Sequence, residues 1–255
     1  MTAALAALLL TAGALADARA GTTTGRWALT LRGDDANAVQ LHLEYAERVE
    51  GGWSRSSWSS PVPLADVGLG AERLRGAVAP VTFALRREAG TFACTGSAGD
   101  GSGAGQFTYA PDAAFDNALA ARGFGRPTYP QSLELAVAAT TLAFVDQIRG
   151  SAPHATVADL VGAVERGVNA RYVAELAALG YRVGSLDALA RLRDHGISAN
   201  YIRAIQADGY RNLSPEDLIA LAEHGVSVAF VDRLKAHGYT NLSVRDLIRL
   251  RDAGI

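Results

Sequence analysis

Gly209 to Val231 reads GYRNLSPEDLIALAEHGVSVAFV, and this stretch writes a helix start, a helix stop and a second start within one turn-sized vocabulary. Ser214 is placed to accept from the first free N–H groups of a helix. Pro215 follows at N1, where its fixed φ is already helical and its missing N–H is no loss. Asp217 stands at N3, the capping-box position, with a carboxylate shorter than the usual Glu or Gln. Leu213 before the cap is set to staple onto Leu218. Gly225 ends this helix in the left-handed conformation. Ser227 then caps a second helix whose apolar face carries Phe230, Val231 and Leu234, and Gly238 ends it.

The same signals recur along the chain. Gly180-Tyr181, Gly209-Tyr210 and Gly238-Tyr239 are 29 residues apart, as are Gly167-Val168, Gly196-Ile197, Gly225-Val226 and Gly254-Ile255. Thr156, Ser185, Ser214 and Ser243 keep the same spacing. Self-similarity in several registers at one period predicts a stacked array of helical hairpins. Helices of about ten residues are too short to be stable alone in water, so each pair must bury its stripe against its neighbours. The unit at Ser243 carries Leu242, Asp246 and Leu247 in the expected places, whereas in the unit at Ser185 Gly184 removes the staple and Ala188 the acid. The last unit stops at Ile255 after its first helix. Leu247, Leu250 and Ile255 are therefore expected to lack their partner helix, leaving an end that docks a partner or a second copy, unless the chain continues.

Upstream the apolar period is two. Trp27, Leu29 and Leu31 alternate with small or polar residues, as do Val39 to Tyr45, Val81 to Leu85, Phe92 and Cys94, and Phe107 and Tyr109. Alternation marks strands with one buried face. Residues 33–37 and 88–90 supply turns, and a further strand is expected from Trp53 to Ser60, ending at Pro61 and Pro63. About six strands in an antiparallel meander result, covered on their apolar face by the helices that follow. After Pro111 the period changes: one helix is expected from Asp112 to Arg122, and a longer one after Pro130 with Leu133, Val137, Thr141, Phe144, Val145 and Ile148 near one face. The fold class is α+β, with an antiparallel β domain over 25–110, connecting helices over 111–150 and the helical-hairpin array over 151–255.

The bulk numbers fit this. The protein has 255 residues, 49% hydrophobic and 20% charged, with a formal net charge of -2. A real core is available, and no polyelectrolyte partner is implied. Ala3 to Ala16 is an apolar run followed by two small-x-small sites ending at Ala18 and Ala20, although no Lys or Arg precedes it. It reads as a signal peptide over 1–20, too short to span a bilayer. A secreted or periplasmic location is expected, with no membrane span in the mature chain. The single cysteine, Cys94, excludes an intrachain disulfide and reads as a small core residue, since no base lies near it in sequence.

Little in the chain assembles chemistry. Arg32-Gly33-Asp34 spells an adhesion tripeptide in a turn where Gly and Asp are expected anyway. Gly99 to Gly105 is glycine-rich but runs into a strand and not a helix N-terminus, so it reads as a flexible hairpin and not a phosphate cradle. His195 and His224 share one position near helix C-termini, where a cation meets the helix dipole, and no third ligand stands at useful spacing for a metal. No nucleophile, base and oxyanion donor come together. No catalytic residue, cofactor or metal is expected. The turn at Gly225-Val226-Ser227 also has the shape of a helix-hairpin-helix DNA motif, but Ser198 and Ser227 replace its second glycine and the charge is balanced. Nucleic acid is therefore not expected, though it stays as an alternative.

The consensus G-Y-x-x-L-S-x-x-D-L-I-x-L-x-x-H-G-V-S-x-x-[FY]-[VI], read from these units, resembles a repeat of bacterial envelope proteins, also found C-terminal to membrane metallopeptidases of the β-lactam-sensor type. The resemblance runs from Gly25 to the end and includes Gly90-Thr91-Phe92 and the run from Gly103 to Asp112. The peptidase helices and zinc motif are absent from this sequence, so the resemblance implies a sensory or interaction role without catalytic residues. A non-catalytic scaffold for a protein or peptide is the leading expectation, and a ligand-sensing envelope accessory the second. Binding candidates are Trp53 and Trp58, which have opposite parity on one strand, the equivalent Tyr172, Tyr201 and Phe230, which also sit on the apolar stripe, and the terminal Leu247, Leu250 and Ile255.

Overall fold

Six strands form where the period of two runs: β1 (Thr24–Leu31), β2 (Ala38–Val49), β3 (Gly52–Pro63), β4 (Ala79–Arg87), β5 (Gly90–Gly99) and β6 (Ser102–Pro111). The computed structural model describes residues 23–33, 35, 37–49, 52–150, 152–181 and 183–255, excepting the side chains of 47–49 and 52–54. The leader expected over 1–20, Asp34 and the side chain of Trp53 lie outside the described residues. All strands join one antiparallel sheet in the order β3-β2-β1-β6-β5-β4. Each half is a three-stranded meander, and pairing of β1 with β6 fuses the halves. Two short helices, α1 (Leu64–Val67) and α2 (Ala71–Arg75), cross between the two edge strands. Helix α1 packs on both edges, β3 and β4, and α2 packs on β5 and β6, with Val67 and Leu74 fully buried.

One face of the sheet is apolar throughout. The register sets Trp27 opposite Leu43, Leu29 opposite Leu41, Phe83 opposite Cys94 and Phe92 opposite Tyr109, and all are buried. Glycine makes room on this face. Gly105 lies opposite Trp27, and a Cβ on neighbouring Gly96 would stand 2.7 Å from Trp27 Cζ2. The indole occupies that space and points Nε1–H at the carbonyls of Thr95 and Gln106, 3.2 and 3.1 Å away. Phe83 meets it edge-on at 5.0 Å. The glycine-rich loop is a tight turn at Asp100 and Gly101, both at positive φ, as a two-residue hairpin requires. It is docked and not free: the N–H groups of Asp100 and Gly101 donate to Gly76 and Leu74 at the end of α2, at 2.9 and 2.7 Å.

Ten helices follow among the described residues: α3 (Ala113–Ala121), α4 (Tyr129–Val137), α5 (Leu142–Arg149), α6 (Val157–Glu165), α7 (Ala170–Ala178), α8 (Leu186–Asp194), α9 (Ala199–Ala207), α10 (Pro215–Glu223), α11 (Val228–Ala236) and α12 (Val244–Asp252). The long helix expected after Pro130 is two. Ala139 turns left-handed with φ 53 and Thr141 caps α5 by accepting from Phe144 N–H. Apolar spacing could not reveal the break, because α4 and α5 bury the same run of side chains on either side of it.

Local chemistry fixes each helix end. Ser214, Ser243 and Thr156 exchange hydrogen bonds with Asp217, Asp246 and Asp159, so the short aspartate closes the capping box after all. Ser185 has only its own cap bond to Ala188 N–H, as the missing acid predicts. At the other end a recurring bond from an N–H to the carbonyl five residues back closes a Schellman turn, at Phe124, Thr140, Val168, Ile197, Val226 and Ile255 among others.

Stacking alternates. Helices α4, α6, α8, α10 and α12 pack each on the next, and α3, α5, α7, α9 and α11 do the same, giving two layers. The sheet joins them through α4, which lies on β5 and β6. One apolar core runs from Trp27 through the array to Ile219, and a second gathers Ile205, Leu221, Val226, Phe230, Val231, Leu234 and Leu247.

Candidate binding surfaces

The position shared by Tyr172, Tyr201 and Phe230 is internal. Each is the third residue of its helix and donates its N–H to the cap side chain of Asn169, Ser198 or Ser227. The ring then reaches the turn of the next hairpin: Tyr172 Oη donates to Ile197 O at 2.9 Å and Tyr201 Oη to Val226 O at 3.0 Å. Tyr172 and Phe230 are buried and Tyr201 is half-buried. The Arg193 guanidinium covers the Tyr172 ring at 5.0 Å, and Arg251 covers Phe230 at 5.5 Å. As contact residues for an outside molecule these three are therefore corrected: they bind the next hairpin. Burial pushes the Tyr172 phenol up to about 12.

The end of the array is less bare than its sequence implied. Leu247 is fully buried under α10, which corrects it as a free apolar group, while Leu250 is half-buried and keeps part of its side chain at the surface. Ile255 does stand out, at 57% exposure, and Tyr239 beside it at 47%. No sequence signal sets Tyr239 apart from its equivalents Tyr181 and Tyr210, which are half-buried. It separates two open depressions. One, of about 400 Å³, is lined by Asp208, Tyr210, Val231, Lys235, Asn241 and Leu247. The other, of about 440 Å³, is lined by Phe230, Arg233, Leu234, His237 and Ile255. Asp208 and Lys235 form an ion pair at 2.6 Å across the first.

His195 and His224 cap α8 and α10 at their C-termini, where sequence placed them beside the helix dipole. Each also faces an acid of the next helix in its layer: Glu223 at 3.5 Å and Asp252 at 2.9 Å. Arg166 and Asp194 make the same link one step earlier, at 3.5 Å. These are struts between hairpins. Among the described residues no group of three His, Cys, Asp or Glu side chains is placed to hold a metal ion. Cys94 is buried beneath the sheet, and burial pushes its thiol up to about 12, far from a reactive thiolate. No helix of the described residues is long and apolar enough to cross a membrane.

The sheet offers a polar seam and an edge. At the seam Tyr45 Oη of β2 donates to Glu134 Oε1 of α4 at 2.7 Å, Ser132 donates to Asp116 at 2.7 Å, and Tyr109 Oη lies 2.7 Å from Ala89 O. Burial raises the carboxyl pKa of both Glu134 and Asp116. Trp58 is on the apolar face of edge strand β3, opposite Leu43, half-buried and packed against the core. The outer face of the sheet carries a shallow groove of about 460 Å³ between Arg26, His42, Glu44 and Gln106.

Compared with family models, with curated proteins and with solved structures, the chain matches none.

Proposed function

We propose that the protein is a non-catalytic interaction scaffold that acts outside the cytoplasm, its helical half being a tandem array of 29-residue hairpin units. The observation that carries this is the recurrence of one inter-hairpin contact set. Tyr172 to Ile197 and Tyr201 to Val226 span the same 25 residues, and His195 to Glu223 and His224 to Asp252 span the same 28. Side chains spent on holding successive hairpins together leave the outer helix faces to vary, which is how solenoids build extended binding surfaces. The resemblance of the units to those of bacterial envelope proteins supports the same reading, as does the leader-like run from Ala3 to Ala16. The partner on this reading is a protein or peptide.

The test is affinity capture of envelope-fraction proteins on the intact mature chain, followed by repetition with the outer helix faces changed at Arg171, Arg203 and Asp232. A partner retained by the native chain and lost by the variant supports the scaffold. A turnover activity that survives changes to every outer face would overturn it. Protein sequencing of the secreted product checks the location: a first residue near Ala18 or Ala20 is expected, and an intact Met1 in the cytoplasmic fraction would remove the secretory part.

The depression between Tyr210 and Tyr239 favours a second reading, a ligand-sensing accessory. Its partly open apolar walls of Tyr210, Tyr239 and Leu242 and its single ion pair suit a small ligand with one polar group. A small-molecule screen read by thermal shift separates the two: stabilisation lost in Tyr239→Ala favours sensing.

A further inference from the structure

We propose that the outer edge of β3, from Arg55 to Ser59, takes an extended peptide segment of a protein partner as an added strand. This rests on the interaction reading above and names the kind of partner it serves.

The direction of the main-chain groups comes from the register. Arg32 N–H donates to Ala38 O, so Ala38 and the even residues of β2 face β1. The odd residues Val39, Leu41, Leu43 and Tyr45 then face β3, and their partners Val62, Ser60, Trp58 and Ser56 face back. Arg55, Ser57 and Ser59 are left with N–H and C=O directed away from the sheet. Among the described residues nothing pairs with those groups, since β3 is an edge whose one strand partner is β2. Pro61 and Pro63 have the same outward parity and no N–H to offer, so they close the edge on one side. The open stretch is therefore short and defined, which is how a protein keeps a docking edge without inviting aggregation.

The opposite edge differs in what it would gain. On β4 the outward residues are Thr82, Ala84 and Arg86 behind Pro80, but the apolar-face residues beside them, Val81, Phe83 and Leu85, are already buried. On β3 the corresponding Trp58 is only half-buried, so a strand laid against it removes further indole surface from water. On the outer face Arg55 is 78% exposed and has Glu44 at 3.6 Å. An acidic residue of an incoming strand set opposite it adds a second carboxylate on the side away from Glu44. The partner segment is thus extended, apolar on the side of Trp58 and acidic on the side of Arg55. A second copy of β3 fits worse: paired about Ser57 it sets Ser56 against the indole, and paired about Trp58 it sets Pro61, which has no N–H, opposite Arg55.

A labelled probe peptide of alternating valine and glutamate, spanning Arg55 to Ser59, tests this by fluorescence anisotropy on the whole chain. Main-chain pairing predicts that Ser57→Pro, which removes one outward N–H, weakens binding about tenfold, whereas Thr82→Pro on the other edge leaves it unchanged. The same peptide N-methylated at the residues that would face β3 should also lose about tenfold, with the protein itself untouched. Replacing glutamate by lysine in the probe should weaken binding to the native chain and be rescued by Arg55→Glu. Absence of binding, or binding indifferent to both Ser57→Pro and N-methylation, overturns the proposal. So does sedimentation showing that the chain pairs with itself through this edge and that Ser57→Pro restores the monomer. If the probe fails while envelope capture succeeds, the edge is lost and the scaffold reading stands.

Discussion

The sheet and the helical array reach stability by opposite routes. The sheet draws its partners from far apart in the chain: Trp27 touches carbonyls at Thr95 and Gln106, and β1 lies against β6. Its packing is tight enough that glycine is required beside the indole. The array draws its partners from the next hairpin, with contacts that return at 25 and 28 residues. Damage to the first should spread through one interlocked core, and damage to the second should stay near where it is made. Short helices can live in such a stack because capping and neighbour contacts, and not length, hold them.

The largest effect should come from Gly96→Val. The added side chain must displace Trp27 or the facing backbone of β6, and a loss of about 3 kcal/mol or more is expected, with the whole sheet losing protection together in hydrogen exchange. Next is Phe230→Ala. The truncation costs about 3 kcal/mol or more, but exchange should quicken only around the second core, between Ile205 and Leu247. If instead the sheet amides respond equally, the contrast between the halves is wrong.

A titration sharpens the comparison. Burial pushes Tyr172 and Tyr181 up to about 12 from an ordinary 10.0. A phenol with its folded-state pKa raised stabilises the fold fully below the unfolded value, and that stability is lost as pH rises through the folded one. The array should therefore weaken between pH 10 and about 12, with tyrosinate absorbance appearing as helix signal falls. Tyr172→Phe should cost about 1 kcal/mol and remove part of that alkaline slope, Phe230 showing that a ring without hydroxyl fits this position. At the seam Glu134 is raised by burial, so its contribution is present at acid pH and fades as pH climbs above the usual carboxylate range. Glu134→Gln should flatten that slope in a denaturation series. The smallest effect is at the caps: Ser214→Ala should cost about 1 kcal/mol, and Ser185→Ala less, since the latter has no reciprocal acid. Equal losses would show that the aspartate of the box adds nothing.

Much of this was readable in advance because the signals are local. Capping serines, left-handed glycines and alternating strands are properties of a few adjacent residues, and the helices and strands lie where those signals stand. The break between α4 and α5 was not readable, because Ala139 takes a left-handed turn without glycine to announce it. In sequence the roles of Tyr172, Tyr201 and Phe230 stay open between core and contact, since a residue on an apolar stripe looks the same whether a neighbour or a partner covers it. Trp58 stands out by its parity, but the free main-chain edge beside it carries no sequence signal.

Sequence alone determined the class of the protein, the helix ends from Ser214 to Gly238 and their spacing, because caps and turns are decided by bonds within a few residues. Only tertiary structure decided that β1 lies beside β6, that α1 spans both sheet edges, and which side chains remain in contact with water. Those are choices among distant segments, set by how apolar surfaces fit together and not by what any one segment prefers.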